Sequence, residues 1–200
     1  MWFIWLLSAC GAPAEDSAES TPEGLPLPES GYQLVTPVYE VPPYTEVEIC
    51  SIVKLQPHDD EMLYWTNRLE SLVTDGTHHM NVLIGQFSFL DAFMGEGASE
   101  NALGATVGQY PCSELDTMGQ AYTIFPSQRD NQQITLPEGV AAPLTAPLML
   151  VFSHHYVNAS DSPIAINATL NIETIAPEEV TDVATLIFDD IPDIEVEPGT

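Results

Sequence analysis

The chain has 200 residues, which is enough for one domain with a sizeable hydrophobic core. Thirty acidic side chains against three Lys and Arg give a formal net charge of -27. A surface this acidic repels phosphate, so the composition excludes nucleic acids and anionic membrane surfaces as partners.

The first ten residues, Met1 to Cys10, are an apolar run that ends in Leu-Ser-Ala-Cys, the pattern of a bacterial lipobox. This pattern predicts an exported lipoprotein, lipidated at Cys10 and anchored in the bacterial cell envelope, which we expect to be the outer membrane. The run is short and has no positive residues ahead of it, unlike a complete signal peptide. The alternative is a buried first strand that carries a free cysteine.

Residues 11–30 are acidic and rich in proline, as is typical of a tether, so the folded domain is expected at 31–200. Short β-branched or aromatic runs separated by turn residues predict an all-β protein, an antiparallel sandwich or barrel. A helical pattern is limited to 59–64 and a turn near 177–180. The predicted strands cover 32–39, 47–55, 62–72, 78–87, 122–125, 147–157, 164–175 and 183–188.

The interval 88–120 is rich in glycine and small residues and is expected to be a long loop. It contains Cys112, and Cys50 lies in a predicted strand. Because an exported protein meets oxidising conditions, a disulfide between these two cysteines is the simplest assignment. Two buried thiols, or one thiol that binds a metal, are the alternatives.

Four of the five histidines occur in two pairs, His78-His79 and His154-His155, each beside an apolar run. Imidazole is a common metal ligand, and histidines on two strands could build one site. One such pair alone is more often a chance surface feature. A site made of three imidazoles suits zinc or copper, and among divalent ions the affinity order favours copper.

The alternation of a strand restricts which histidines can share a site. His78 and His79 would point to opposite faces of a regular strand, so both reach one ion only if the backbone twists or bulges there. The turn signal Asp75-Gly76 just ahead of them makes this plausible. For the second pair, alternation alone leaves either His154 or His155 open.

These residues together resemble a known family. The chain contains Thr77-His78-His79-Met80 followed by an apolar strand, with Cys50 upstream. The segment 136–140 (Leu-Pro-Glu-Gly-Val) comes next, and then an apolar strand that ends in His155-Tyr156. This combination is similar to the N-terminal domain of the copper type II, ascorbate-dependent monooxygenases, the group of peptidylglycine α-hydroxylating monooxygenase and dopamine β-hydroxylase. The resemblance covers most of 32–200.

The resemblance implies a β-sandwich of the jelly-roll type. It also implies one copper ion bound by His78, His79 and His155, which leaves His154 as an additional histidine or an alternative ligand. The pair Cys50 and Cys112 resembles one of the family's disulfides. Ascorbate or a similar reductant would supply the electron, and no catalytic residue is expected in 1–200 itself.

In that family a second β-sandwich binds the copper at which oxygen attacks a substrate C–H bond. No His-X-His follows His155 here, so the expected partner is a second copper domain, the missing C-terminal half, or another redox partner. The alternatives are a non-catalytic surface lipoprotein that stores or delivers copper, and a sandwich without metal. The sequence does not indicate the substrate.

Overall fold

The computed structural model describes residues 24–55, 62–85, 106–115, 121–146 and 148–185. These residues form thirteen strands, two short 3-10 turns at Cys112–Leu115 and Pro177–Glu179, and no α-helix in the described ranges. The strands are β1 (Gly31–Val35), β2 (Tyr39–Val41), β3 (Thr45–Leu55), β4 (Leu63–Val73), β5 (Thr77–Gly85), β6 (Thr106–Pro111), β7 (Ala121–Ser127), β8 (Asn131–Thr135), β9 (Val140–Thr145), β10 (Leu148–Asn158), β11 (Ile164–Ile166), β12 (Ala168–Ile175) and β13 (Asp182–Val183).

Two sheets form the body of the fold. One has the order β1-β12-β4-β9-β13, with β8 also paired to β4, and the other has the order β6-β3-β10-β5-β7. The short strands β2 and β11 pair with each other apart from both sheets. We call the two main sheets the six-stranded and the five-stranded sheet.

Eight of these strands are paired in a nested order. The first pairs with the last (β1 with β12), the second with the seventh (β3 with β10), the third with the sixth (β4 with β9) and the fourth with the fifth (β5 with β7). This is the pattern of one long hairpin wrapped into two sheets, which is a jelly roll. The all-β sandwich expected from the sequence is therefore confirmed, with jelly-roll connectivity.

The core lies between the two sheets, where the inward side chains of both meet. The alternation along β10 puts Leu150 and Phe152 on this inner face, while Val151 lies on the outer face of the five-stranded sheet. The largest side chains without solvent exposure include Phe125, Phe152 and Met80. Met80 is thus a packing residue, as is usual for methionine.

The sequence prediction missed three strands, and the reasons differ. Thr106–Pro111 (β6) lies in the interval expected to be a loop, where nearby glycines hid its short run of strand-forming residues, and it pairs with β3. Asn131–Thr135 (β8) is too polar to stand out, and Val140–Thr145 (β9) is broken by Pro143. The helical pattern at 59–64 is wrong where it can be compared, because β4 begins at Leu63.

The predicted disulfide between Cys50 and Cys112 is present, with the two Cα atoms 4.9 Å apart. It links β3 to the turn that follows β6 and lies on the outer face of the five-stranded sheet. Cys50 packs there with Ile52 and Val151 in a small buried cluster. The disulfide therefore fixes the edge strand β6 to its neighbour β3.

The predicted signal segment and the lipidation site Cys10 lie outside the described residues, as does most of the predicted tether. At the end of that tether, Gln33 donates to the carbonyl of Leu25, and Asn171 donates to the carbonyl of Pro26. No helix in the described ranges is long and apolar enough to cross a membrane.

Replacing both Cys50 and Cys112 by serine is expected to lower the free energy of unfolding. The disulfide spans 62 residues of sequence. Closing a loop of that size stabilises a fold by about 4 kcal/mol when the unfolded chain is the only state affected. Urea unfolding of the double variant measures the loss, with the reduced wild type as the control. An unchanged midpoint would show that the disulfide contributes nothing to the fold.

Candidate metal centre

Both histidines of the first pair reach the same side of the sheet because β5 has a bulge at His78. His155 of β10 pairs with His79, yet the next residue, Tyr156, pairs with Thr77. His78 is therefore an extra residue without a partner opposite it, which is the definition of a β-bulge. The bulge expected from the sequence is present.

The turn before β5 fixes where the bulge can form. Gly76 has a φ of 85°, a region that glycine adopts without strain. The hydroxyl of Tyr156 donates to the carbonyl of Asp75 at 2.9 Å. A Cβ on Gly76 would lie 2.9 Å from that hydroxyl, so the glycine also leaves room for the tyrosine. The turn and the end of β10 are thus held together just beside the bulge.

His154 is held inside the sandwich, on the other face from His155. It is 5% exposed, and its Nε2 lies 2.7 Å from the hydroxyl of Thr77. That hydroxyl donates its single proton to the carbonyl of Thr74 at 2.6 Å, so Nε2 of His154 must carry a proton and donate. His154 is therefore a second tie between β10 and the start of β5, and it does not belong to the metal cluster.

Three imidazoles converge on the outer face of the five-stranded sheet. The candidate ligand nitrogens of His78, His79 and His155 all lie within 4.8 Å of one another. The ring centroids are 4.9 to 5.2 Å apart, and the Nδ1 atoms of His78 and His79 are separated by 3.0 Å. Nitrogens bound at about 2.0 to 2.1 Å from one tetrahedral ion are roughly 3.3 Å apart. Small side-chain movements would therefore suffice for all three to hold one ion.

Glu46 of β3 fixes the orientation of His155. Its Oε1 lies 2.7 Å from Nε2 of His155. An ionised carboxylate can only accept, so Nε2 donates and the lone pair of a neutral His155 is on Nδ1. Metal-binding histidines usually donate their other N–H to such a partner, which fixes the ring and makes the ligand more basic. Glu46 therefore holds His155 in one orientation, with the lone pair on Nδ1 available to a metal ion.

The surroundings of His79 favour its neutral form. Burial, followed by the neighbouring His155 and His78, lowers the pKa of His79, while Glu48 acts in the opposite direction. A histidine must lose its proton before it binds a metal, so a lowered pKa reduces the competition from protons. His78 is exposed and the other two rings are half-buried. The cluster is thus accessible to an ion from solvent.

The structure brings together the three histidines named from the sequence and separates His154 from them. Glu46 and Glu48 were not identified from the sequence. They precede Cys50 at alternate positions of β3, and Glu48 pairs with His155 across the strands. Only the register of β3 against β10 shows that they border the cluster.

No protein-family model matches the sequence, and a search of characterised proteins finds no match. The described residues thus establish a jelly-roll sandwich with a group of three histidines that could hold a metal ion. The identity of the ion and the similarity to the monooxygenases stay predictions.

Replacing Tyr156 by phenylalanine is expected to weaken metal binding more than it weakens the fold. The change removes one hydrogen bond to Asp75, which contributes about 1 kcal/mol to a fold, and it frees the turn that sets the bulge. We expect the affinity for a metal ion to fall about tenfold, as for the loss of an indirect support of a metal ligand. Competition with a chelator measures the affinity, and urea unfolding measures the fold. An unchanged affinity would contradict the role given to the turn.

Acid is expected to destabilise the metal-free protein through His154. Burial, together with His79 and His155, lowers the pKa of His154 to about 4 from its usual 6.5. The unfolded chain therefore takes up this proton first, and the free energy of unfolding falls by about 3 kcal/mol between about pH 7 and pH 4.

The His154→Gln variant is the matched test, because glutamine retains an N–H that can reach Thr77. Urea unfolding in the presence of a chelator should give a flatter dependence on pH over the same range for this variant than for the wild type. Parallel pH profiles of the two proteins would contradict the assignment.

Proposed function

We propose that this protein binds one copper ion through His78, His79 and His155 and uses it for one-electron transfer, as the corresponding half of a copper-dependent monooxygenase does. The observation that carries the proposal is the bulge at His78. It places both histidines of the pair beside His155, and a regular strand would have separated them.

The chemistry of the donor set favours copper among the ions that imidazole binds. The cluster contains three imidazoles and neither thiolate nor carboxylate. Carboxylate-rich sites suit magnesium, calcium and manganese, whereas imidazole suits zinc, copper, iron and nickel. Copper heads the affinity order for divalent ions of the first transition row. Zinc is the alternative ion, because three histidines with an open position also form catalytic zinc sites.

Each residue has a separate task in this proposal. The three histidines would bind the ion, and Glu46 holds His155 with its Nδ1 free. Tyr156 and His154 tie the start of β5 to β10. Bound copper would supply a redox couple that accepts and gives up one electron. The openness of the cluster at His78 would leave it accessible to an electron donor.

The second candidate function is copper storage or delivery without catalysis. It is favoured by the finding of a single metal-ligand group, that of His78, His79 and His155, in the part of the chain that the structure describes. Hydroxylation by the monooxygenase route needs a second copper domain, whereas storage needs only this one. The two functions differ in whether the ion remains bound through a redox cycle.

Copper titration of the purified chain is expected to give one bound ion, and replacement of all three histidines by alanine is expected to abolish binding. The Asn81→Ala variant is the matched control, because Asn81 follows on the same face of β5 two residues beyond His79. Circular dichroism confirms that each variant is folded. Copper bound equally by the triple variant, or none bound by the wild type, would refute the site.

Voltammetry of the copper-loaded protein separates the two candidate functions. Electron transfer predicts a reversible one-electron wave with the ion retained after many cycles. Release of copper in one of the two oxidation states would instead support storage or delivery.

A further inference from the structure

Acidic side chains lie around the histidine cluster, and their negative charge affects which electron donor can approach it. Glu46 is bonded to His155, and its side chain is 66% exposed. Glu48 is also exposed and acts electrostatically on His79. Asp75, exposed in the turn three residues ahead of His78, acts on Tyr156 in the same way. Carboxylates thus border the cluster on the sides of both β3 and β5.

The three basic side chains of the chain do not offset this charge at the cluster. Arg68 is on β4 in the other sheet and is paired with Glu70 and Glu173. Arg129 lies between β7 and β8. Lys54 shares the outer face of the five-stranded sheet but is six residues beyond Glu48 on β3, or about 20 Å along the strand. That distance is roughly twice the Debye length of physiological saline.

A bound ion does not reverse the sign of the field. Cu(II) would add two positive charges to neutral histidines, and Cu(I) would add one, against the three carboxylates that border them. The summed charge of a bound ion and these carboxylates therefore stays negative in both redox states.

We propose that the electron donor for this site is the positively charged face of a redox protein rather than a small anion such as ascorbate. This inference rests on the proposed function. Opposite charges speed diffusional encounter by 10-fold to 1000-fold at low salt, and like charges slow it, as is general for steered association. Small biological reductants such as ascorbate are mostly anions, whereas a basic protein surface complements Glu46, Glu48 and Asp75.

The electron balance of the step is simple. A reduced one-electron carrier on the partner would give up one electron and be oxidised, and Cu(II) held by the three histidines would accept that electron and be reduced to Cu(I). No bond is made or broken, and no proton is transferred. Hexaammineruthenium(II), which becomes hexaammineruthenium(III), is a cationic probe of the same step. Ascorbate is the anionic probe, and its one-electron oxidation to the ascorbyl radical also releases one proton to solvent.

The test measures the rate of copper reduction by each probe as ionic strength rises from about 10 mM to about 300 mM, a range that shortens the Debye length several-fold. Copper loading is first verified by paramagnetic resonance. We expect the rate with the ruthenium complex to fall about fivefold and the rate with ascorbate to rise, in line with electrostatic steering.

Two double variants with the same change in charge test whether the salt dependence arises from the carboxylates beside the cluster. Glu48→Gln with Asp75→Asn removes two charges beside the cluster, and Glu138→Gln with Glu178→Gln removes two from the turn before β9 and the 3-10 turn before β13. The first pair should slow reduction by the ruthenium complex about threefold at low salt and flatten its salt dependence. The second pair should leave both nearly unchanged.

A binding experiment without copper gives an independent readout. Cytochrome c, a lysine-rich haem protein, is added to the metal-free chain, and amide resonances are followed by NMR. We expect shifts in the first half of β3 and in the turn at Asp75-Gly76, and we expect them to vanish at high salt. Shifts confined to other parts of the chain would overturn the proposal.

The outcomes distinguish a failure of the proposed copper function from a failure of this inference about the electron donor. If copper does not bind, the proposed function fails and this inference fails with it. If copper binds and is reduced, but the ruthenium rate is unchanged or rises with salt, the inference is overturned while the copper function stands. Equal effects of the two double variants would likewise overturn it.

Discussion

The β-bulge at His78 is the constraint on which the rest of the site depends. A strand separates neighbouring side chains onto opposite faces, and the extra residue between Thr77 and His79 cancels that separation for one pair of histidines. Tyr156 holds the turn ahead of the bulge, and His154 holds Thr77 from the inside. Both ties come from β10, the strand that also supplies His155. The jelly roll is thus a frame that holds two central strands in register.

The sequence predicted the all-β sandwich and the grouping of His78, His79 and His155, while the binding of a metal by them stays a prediction. The central strands β3 and β10 could be predicted because both contain apolar, β-branched runs, which are buried on both faces in the fold. The disulfide Cys50–Cys112 could be predicted because an exported protein meets oxidising conditions. The choice of His155 over His154 came from the family resemblance, since alternation is symmetric between the two. The alternation in β10 now supports it, because His154 shares a face with Phe152.

The sequence could not have shown what depends on register between distant strands. Glu46 is separated from His155 by 109 residues, and nothing in the local pattern of β3 marks it as a partner of a histidine. The polar edge strand β8 was missed for a related reason, because its backbone bonds to β4 compensate for a weak propensity of its own. Pairing of this kind is a property of the folded chain. The grouping of the three histidines was therefore predictable from the sequence, and the carboxylates around them were not.

The central claim is that one copper ion is bound by His78, His79 and His155. X-ray absorption spectroscopy of the copper-loaded chain tests it most directly. The account predicts about three nitrogen neighbours at roughly 2.0 Å, with the outer-shell scattering of imidazole rings. The ring scattering should be lost in the variant in which all three histidines are alanine. A first shell of sulfur, or of carboxylate oxygen without imidazole, would contradict it.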